Sequence, residues 1–363
     1  MSSNTKYGSS SLLNNTTGTQ NSAFGADSLM KNTTGNDNTS VGAFAGTNNT
    51  TGKSNVCLGT NALFSNTTAD YNTAIGTAAL CFNTVGKNNT ALGSNALEYN
   101  VSGRENIAIG VRALYNNVTG GNNIAIGKQS LELGTTCCNN LAIGNGALLS
   151  TTGEENIAIG DYVLQYNTTG IDNTAMGFGT MTANTTGHGN VSIGSYSLQC
   201  CTTGACNVAV GACASSSLTT GSNTICIGAH AQPYSPSSTN EITLGDSNIS
   251  TLRCMATTIT AISDARDKTD IKTLENGLEL VKLLNPVSFT WNMRDGSRVG
   301  APDIGFIAQE LKLAQINSNM IIPGLVCDED PEKMEASYGK LLPILVKAIQ
   351  ELSTKVAALE AKQ

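Results

Sequence analysis

A five-residue phrase typified by Asn106-Ile107-Ala108-Ile109-Gly110 recurs through most of this chain. Close copies end at Gly25, Gly76, Gly127, Gly177 and Gly211, and the closing glycines run on from Gly8 to Gly245. Of the fourteen intervals between successive closing glycines, thirteen are 17 residues and one, Gly144 to Gly160, is 16. A short fixed period held over so long a stretch demands a stacked array, because each unit is too small to bury its own apolar side chains.

The columns of the repeat indicate what each unit is. The residue before the closing glycine is large and apolar (Ile75, Leu92, Ile109, Ile126, Val210), and the residue three before it is often β-branched (Val56, Thr73, Ile107, Ile124, Val191). Strand side chains alternate, so these two columns share a face. Between them lies a small residue, as at Ala74, Ala91, Ala108 and Ala125. Four residues after the glycine comes Leu63, Leu80, Leu97, Leu114 or an equivalent, followed by a Thr-Thr-Gly-like turn. Each unit therefore reads as strand, glycine turn, second short strand and glycine turn. The pattern predicts an all-β parallel solenoid, with rungs about 4.8 Å apart and a rod of roughly 70 Å. Its expected core is three large apolar side chains per rung, each contributing roughly 1.5–3 kcal/mol if fully buried. Ile109→Asp is then expected to place a charge inside a layered core.

The Asn four before each glycine, from Asn21 to Asn207, is expected to form a hydrogen-bonded ladder along the axis. The glycines supply turn geometry and close approach, and none has a phosphate-loop context. Asn-x-Thr triplets such as Asn32-Thr33-Thr34 and Asn167-Thr168-Thr169 match glycosylation acceptors, but the repeat itself explains their recurrence.

Composition divides the chain. Only 19 of the 47 charged residues fall in the first 250 positions, all seven prolines lie at or after Pro233, and the single tryptophan is Trp291. The expected regions are a repeat rod over 1–230, a β-rich stalk or linker over 231–262 and a charged α+β domain over 263–363. The net charge of −7 and the lack of a basic cluster argue against nucleic acid as a partner. No apolar run is long enough to span a membrane, and the N-terminus lacks the apolar core of a signal peptide. The eleven cysteines show no metal-like spacing with histidine; Cys200, Cys201, Cys206 and Cys213 come nearest to a cluster. They read as free thiols used as small hydrophobes in a chain made in a reducing cytosol, with no metal or cofactor expected.

In the last third, helices are expected over about 274–284, 307–313 and 343–362, and a strand over 287–291. In the last helix Leu342, Leu345, Ile349, Leu352, Val356 and Leu359 step alternately by three and four, which is a coiled-coil seam. The same spacing would also serve a single amphipathic helix packed on its own domain.

Two resemblances follow from these residues. The Asn-x-Ala-Ile-Gly unit resembles the head repeat of trimeric autotransporter adhesins, a parallel β-roll, and repeats of viral and phage fibres. The adhesin unit is usually shorter than 17 residues. That likeness implies side-by-side trimers, and side-chain size suggests the small Ala column as the face where three rolls meet. Residues 263–363 resemble the intramolecular chaperone domain of endosialidases, tail spikes and tail fibres. The likeness rests on Ser263-Asp264-x-Arg266-x-Lys268-x-x-Ile271, on Asn285-Pro286-x-x-Phe289-x-Trp291 and on Gly305-Phe306-Ile307-Ala308-Gln309-Glu310. Asp267 departs from the apolar residue common in the family.

This second resemblance implies a homotrimer whose C-terminal domain sets the upstream fibre in register and then cuts itself off. The implied bond is Ile262–Ser263, with Ser263 as nucleophile and Lys268 as base, in a single turnover rather than as a turnover enzyme. A lysine amine is ordinarily protonated, so base action requires burial that disfavours the ammonium. Taken without the resemblance, a Ser followed by Asp reads as a helix cap or turn.

The implied protein is a host-contacting virion fibre made in the host cytoplasm. Its partners would be a cell-surface receptor or glycan and other virion proteins. The alternatives are a bacterial trimeric adhesin on the extracellular surface and a fibre that keeps its trimerisation tip. An ice-binding solenoid needs an unbroken Thr column, which Ile107, Ile124, Leu141 and Val191 interrupt. A glycan-degrading enzyme would need paired carboxylates, and none stands out in the acid-poor rod.

Overall fold

The computed structural model describes residues 3–249, 251–253, 263–294, 299–330 and 332–362. The chain divides into two compact units, Met1–Asp246 and Ser247–Gln363. The first carries fifteen short strands, from β1 (Thr5–Tyr7) to β15 (Glu241–Leu244), hydrogen-bonded in sequence order as one sheet. Every pairing is parallel and in register, as at Ala91↔Ala108↔Ala125. The unit is thus a parallel β-solenoid with one rung per repeat.

The 16-residue interval leaves this register intact, since Leu141 still faces Ile157. The missing residue comes out of the turn, where Gly153 follows Thr151 by two and its N–H donates to the Thr151 hydroxyl oxygen at 3.0 Å.

The closing glycines are dictated by backbone. Gly110 has φ +132°, a region that L side chains rarely adopt, and a Cβ there would stand 2.5 Å from the carbonyl oxygen of Gly127. The residues after the glycine differ from the expected second strand. They form a turn in which alternate residues are left-handed, as at Asn61 (φ 58°) and Leu63 (φ 51°). Rung-to-rung hydrogen bonds persist there, for example from Leu63 N to the Ala79 oxygen at 2.9 Å. The recurrent positive φ prevents the extended geometry of a strand.

The face of the strand is also corrected. The small residues point inward and the large ones outward. Ala108 is 0% exposed, whereas Ile107 is 37% exposed and Ile109 is half-buried. The expected meeting of three rolls at the Ala column is therefore excluded, and Ile109→Asp would not place its charge in the rung interior. The interior of a rung is one fully buried Leu and two small residues, as with Leu114, Ala108 and Ala113, rather than three large side chains. A coil of 17 residues with three-residue strands has too narrow a cross-section for more. The buried cysteines behave as small hydrophobes: Cys57 and Cys226 replace the inward Ala, and burial pushes the Cys57 thiol up to about 12.

Two asparagine ladders fill the rest of the interior. In the expected one, Asn38 Nδ2 donates to Asn21 Oδ1 at 3.1 Å and to the Gly52 carbonyl at 2.9 Å. The second, not anticipated, is built by the Asn of the Asn-Thr-Thr-Gly turn. There Asn49 Nδ2 donates to Asn32 Oδ1 at 2.8 Å and to the Gly52 carbonyl at 3.0 Å. Asn32 and Asn167 of the glycosylation-like triplets belong to this ladder and are fully buried, so their amides are not accessible acceptors in the folded rod.

The second ladder stops where the next rung lacks Asn. Asn117 precedes Gly134 and Asn184 precedes Cys201 by one repeat, and these are the rungs at which a buried Asn Oδ1 has no partner. Cys201→Asn would supply the missing donor, but its own Oδ1 would face Leu218 one repeat on and be orphaned in turn. The unfolding midpoint should therefore be unchanged or lowered; a raised midpoint would refute this account of the ladder.

The second unit is small. Helix α1 (Gly277–Leu283) leads into the antiparallel pair β16 (Val287–Asn292) and β17 (Val299–Gly305), then α2 (Ala308–Asn317). A short pair, β18 (Val326–Cys327) with β19 (Glu335–Ala336), precedes the 19-residue helix α3 (Leu342–Glu360). Its core is Leu280, Ala314 and Ile344, backed by Val281, Leu284, Met320 and Ile322. Of the expected stalk over 231–262, β15 joins the rod's sheet as its last strand, residues 249 and 251–253 are not in a strand, and 250 and 254–262 lie outside the described residues.

Candidate functional site

The segment opening at Ser263 is shaped by its own side chains. Asp264 caps a single 3-10 turn, Ala265–Asp267, by accepting from Arg266 N at 2.9 Å. The Arg266 guanidinium grips the same carboxylate, with Nη2 2.6 Å from Oδ2. This contact holds Asp264 below the usual carboxylate range and raises Arg266. Asp264 therefore does the capping that a Ser in this context might have done, and the Ser263 hydroxyl is left for another partner.

That partner is Lys268. The turn brings it back over the start of the segment, where its Nζ donates to Ser263 Oγ at 2.6 Å and to the Ser263 carbonyl at 3.3 Å. The two candidate site residues, five apart in sequence, are thus in direct contact. Both are exposed in the single chain, as is Asp267. Ile262, the other side of the expected scissile bond, lies outside the described residues. With the amine neutral, the same contact reverses and the Ser hydroxyl donates to Nζ, which is the arrangement nucleophile activation needs.

The other motifs of the unit tie its elements together. Asn285 Nδ2 donates to Glu310 Oε2 at 3.0 Å, joining the start of β16 to α2. Trp291 Nε1 donates to Asp303 Oδ2 at 3.0 Å across the hairpin, and Phe289 packs edge-on to Trp291. The Tyr338 hydroxyl donates to the Phe306 carbonyl at 2.9 Å. Glu351 on α3 accepts from the N–H groups of Gly277 and Leu278, placing a carboxylate at the start of α1. The Tyr338 and Glu351 contacts were not legible in the sequence, because each joins residues more than thirty positions apart.

The last helix uses two faces. Ile344 and Ala348 are buried, with Ile344 in the small core beside Leu280 of α1. The coiled-coil seam, Leu342, Leu345, Ile349, Leu352, Val356 and Leu359, is exposed throughout. Packing on its own unit therefore does not use up the seam. Ile304 (79% exposed) and Ile321 are further apolar groups that the single chain leaves in water.

Among the described residues, no group of three or more His, Cys, Asp or Glu is placed to hold a metal ion. No described helix is long and apolar enough to cross a membrane.

The class is therefore a parallel β-solenoid followed by a small helix-and-strand unit with an exposed terminal seam. Residues 263–320 match the sequence model of the family described as chaperone of endosialidase, and the match begins at Ser263. No curated protein and no solved structure matches the chain. The chaperone-type region and the solenoid together fit a protein of the tail-fibre or tail-spike kind.

Proposed function

We propose that this chain is a homotrimeric viral fibre that contacts the host, and that its C-terminal unit drives trimerisation and folding and then releases itself at Ile262–Ser263. The observation that carries the cleavage is the 2.6 Å contact between Lys268 Nζ and Ser263 Oγ at the first residue of the chaperone match. Lys268 takes the hydroxyl proton and Ser263 Oγ attacks the Ile262 carbonyl carbon. The Ser263 nitrogen leaves with a proton, giving an ester between the Ile262 acyl group and Oγ. Water then cleaves the ester, leaving an Ile262 carboxylate and a free Ser263 amine and hydroxyl.

Trimerisation supplies what the single chain lacks. Lys268 is exposed, and covering it with neighbouring copies would favour the neutral amine over the ammonium. Cleavage then waits for assembly.

Two surfaces support the trimer. One is the exposed seam of α3. The other is the outward strand face of the rod. From β2 (Ser22–Phe24) to β14 (Thr224–Ile227) no strand residue is charged, and the outward columns hold Leu58, Leu92, Ile107, Ile157, Ile193 and their equivalents, half-buried or exposed. A stripe so long and so apolar is far from ordinary for a monomer's surface, and a three-fold axis along it would bury it. A rod of this kind belongs in the virion, joined to other virion proteins and presented to a cell-surface receptor or glycan.

Light scattering on the uncut Ser263→Ala chain should give three times the chain mass. A stable monomer at micromolar concentration would remove both the assembly and the proposed trigger for cleavage. N-terminal sequencing of the small fragment should begin at Ser263, and any other start refutes the site.

A further inference from the structure

The Asp264–Arg266 pair beside Ser263 and Lys268 is more complete than a turn cap requires. One hydrogen bond, from Arg266 N to Asp264 Oδ1 at 2.9 Å, is enough to cap the turn Ala265–Asp267. The guanidinium adds three more contacts. Its Nε lies 3.1 Å from each carboxylate oxygen, and its Nη2 lies 2.6 Å from Oδ2. A carboxylate offers about four lone-pair directions, so Arg266 by itself takes up the acceptor capacity of Asp264. Held below the usual carboxylate range by these contacts, Asp264 is ionised at any pH at which Lys268 gives up a proton.

The consequence falls on Lys268. Its Nζ touches the Ser263 carbonyl oxygen at 3.3 Å as well as Oγ, and that carbonyl is bonded directly to the Asp264 nitrogen. The Asp264 carboxylate therefore lies within a side-chain rotation of the amine. Left free, it would compete with Ser263 for Nζ and win, because an ammonium binds a carboxylate more strongly than a neutral hydroxyl. It would also favour the ammonium over the amine that the reaction needs. Among the described residues Lys268 has no ion pair, although Asp264, Asp267 and Asp270 all lie within four residues of it. Asp267 and Asp270 are exposed and point their charge into water, whereas Asp264 is held by Arg266.

We propose that Arg266 is a positioning residue for the self-cleavage: by sequestering the Asp264 carboxylate it keeps Lys268 on Ser263 and leaves the lysine free to become neutral. This deepens the cleavage reading above and rests on it. The device also explains how assembly is able to act as the trigger. Covering a lone ammonium favours its loss of a proton, but covering an ammonium already paired with a carboxylate does not, since the partner stabilises the charge. Arginine suits the task because its guanidinium stays charged in proteins and its planar fork matches both carboxylate oxygens at once. A lysine in its place would meet the carboxylate as a single point charge and leave acceptor directions open to Lys268.

The test follows the cleavage rate of the full-length chain by mass measurement between about pH 6 and pH 10, with light scattering to show that each variant assembles. Arg266→Gln should cleave at least about tenfold more slowly near neutral pH, the change in neutral amine that one pKa unit brings. Its pH profile should move upward, recovering as the base is stripped of its proton. Adding Asp264→Asn to Arg266→Gln should restore the rate to within about threefold of the wild type, because the amide still accepts from residue 266 N and no longer competes for the amine. If the Arg266→Gln chain fails to assemble, Asp264→Asn alone decides. It breaks the ion pair yet should keep cleaving, whereas a pair that served only as a scaffold for the turn would slow it. Arg266→Gln cleaving as the wild type does, a double variant as slow as Arg266→Gln, or an assembled Asp264→Asn chain that no longer cleaves overturns the inference and spares the cleavage. A wild type that stays whole in the trimer removes both.

Discussion

Ser263→Ala is expected to leave the chain at its full 363 residues, where the wild type is expected to divide after Ile262. The variant should still trimerise, because the hydroxyl takes no part in packing: Ser263 is exposed and Asp264, not Ser263, caps the adjoining turn. Lys268→Ala should behave the same way, since the hydroxyl then has no proton acceptor. Lys268→Arg is the sharper variant. It keeps the positive charge and a donor to Oγ, but a guanidinium is not deprotonated in proteins, so cleavage should still be lost. Mass measurement of freshly folded protein reads the result as all or none. Once trimers have formed, the wild-type rate should not depend on protein concentration, as expected of a cut within the assembly. A wild type that stays whole after trimer formation would refute the cleavage and leave the C-terminal unit as a permanent tip.

The second large effect separates two neighbours on one strand. Ala108 is fully buried between Ala91 and Ala125 of the adjacent rungs, whereas Ile109 sits on the outward face between Leu92 and Ile126. Ala108→Asp puts an unpaired carboxylate in a space sized for a methyl group, at a cost of more than about 3 kcal/mol. The rod should lose its cooperative melt. Ile109→Asp leaves the rung interior as it is. It instead brings three carboxylates towards the proposed three-fold axis, so it should yield a folded chain with weakened or absent trimer. Circular dichroism and light scattering on the pair distinguish the outcomes. An Ile109→Asp protein as trimeric as the wild type would show that the strand face does not form the contact.

These two positions also show why sidedness was misread in the sequence. Alternation places residues 107 and 109 together and 108 opposite, but it does not indicate which set faces inward. Size favoured the isoleucines for the core. The rung is too narrow for them, and the one large side chain it accommodates is Leu114, carried on a left-handed residue of the turn. The second asparagine ladder escaped notice for a related reason. Its Asn-Thr-Thr spelling is that of a surface turn, and only stacking shows that Asn49 Nδ2 reaches Asn32 Oδ1.

What the sequence determined by itself is whatever depends on spacing along the chain. The 17-residue period required stacked parallel rungs, because identical short units can bury themselves only against their own copies. The Asn column four before the glycine implied a ladder for the same reason. The helix seam at 342–359 was legible from its steps of three and four, whereas the Ser263/Lys268 pair was implied only by a family resemblance, since the bare residues read as a cap or turn. The tertiary structure decided whatever depends on cross-section and on contacts distant in sequence. It turned the alanines inward and the isoleucines outward, because a coil this thin closes around small side chains. It placed Glu132 under Arg112 from twenty residues away, and Glu351 at the start of a helix more than seventy residues earlier. No local pattern encodes such pairs, since they form only when separate rungs or helices have packed.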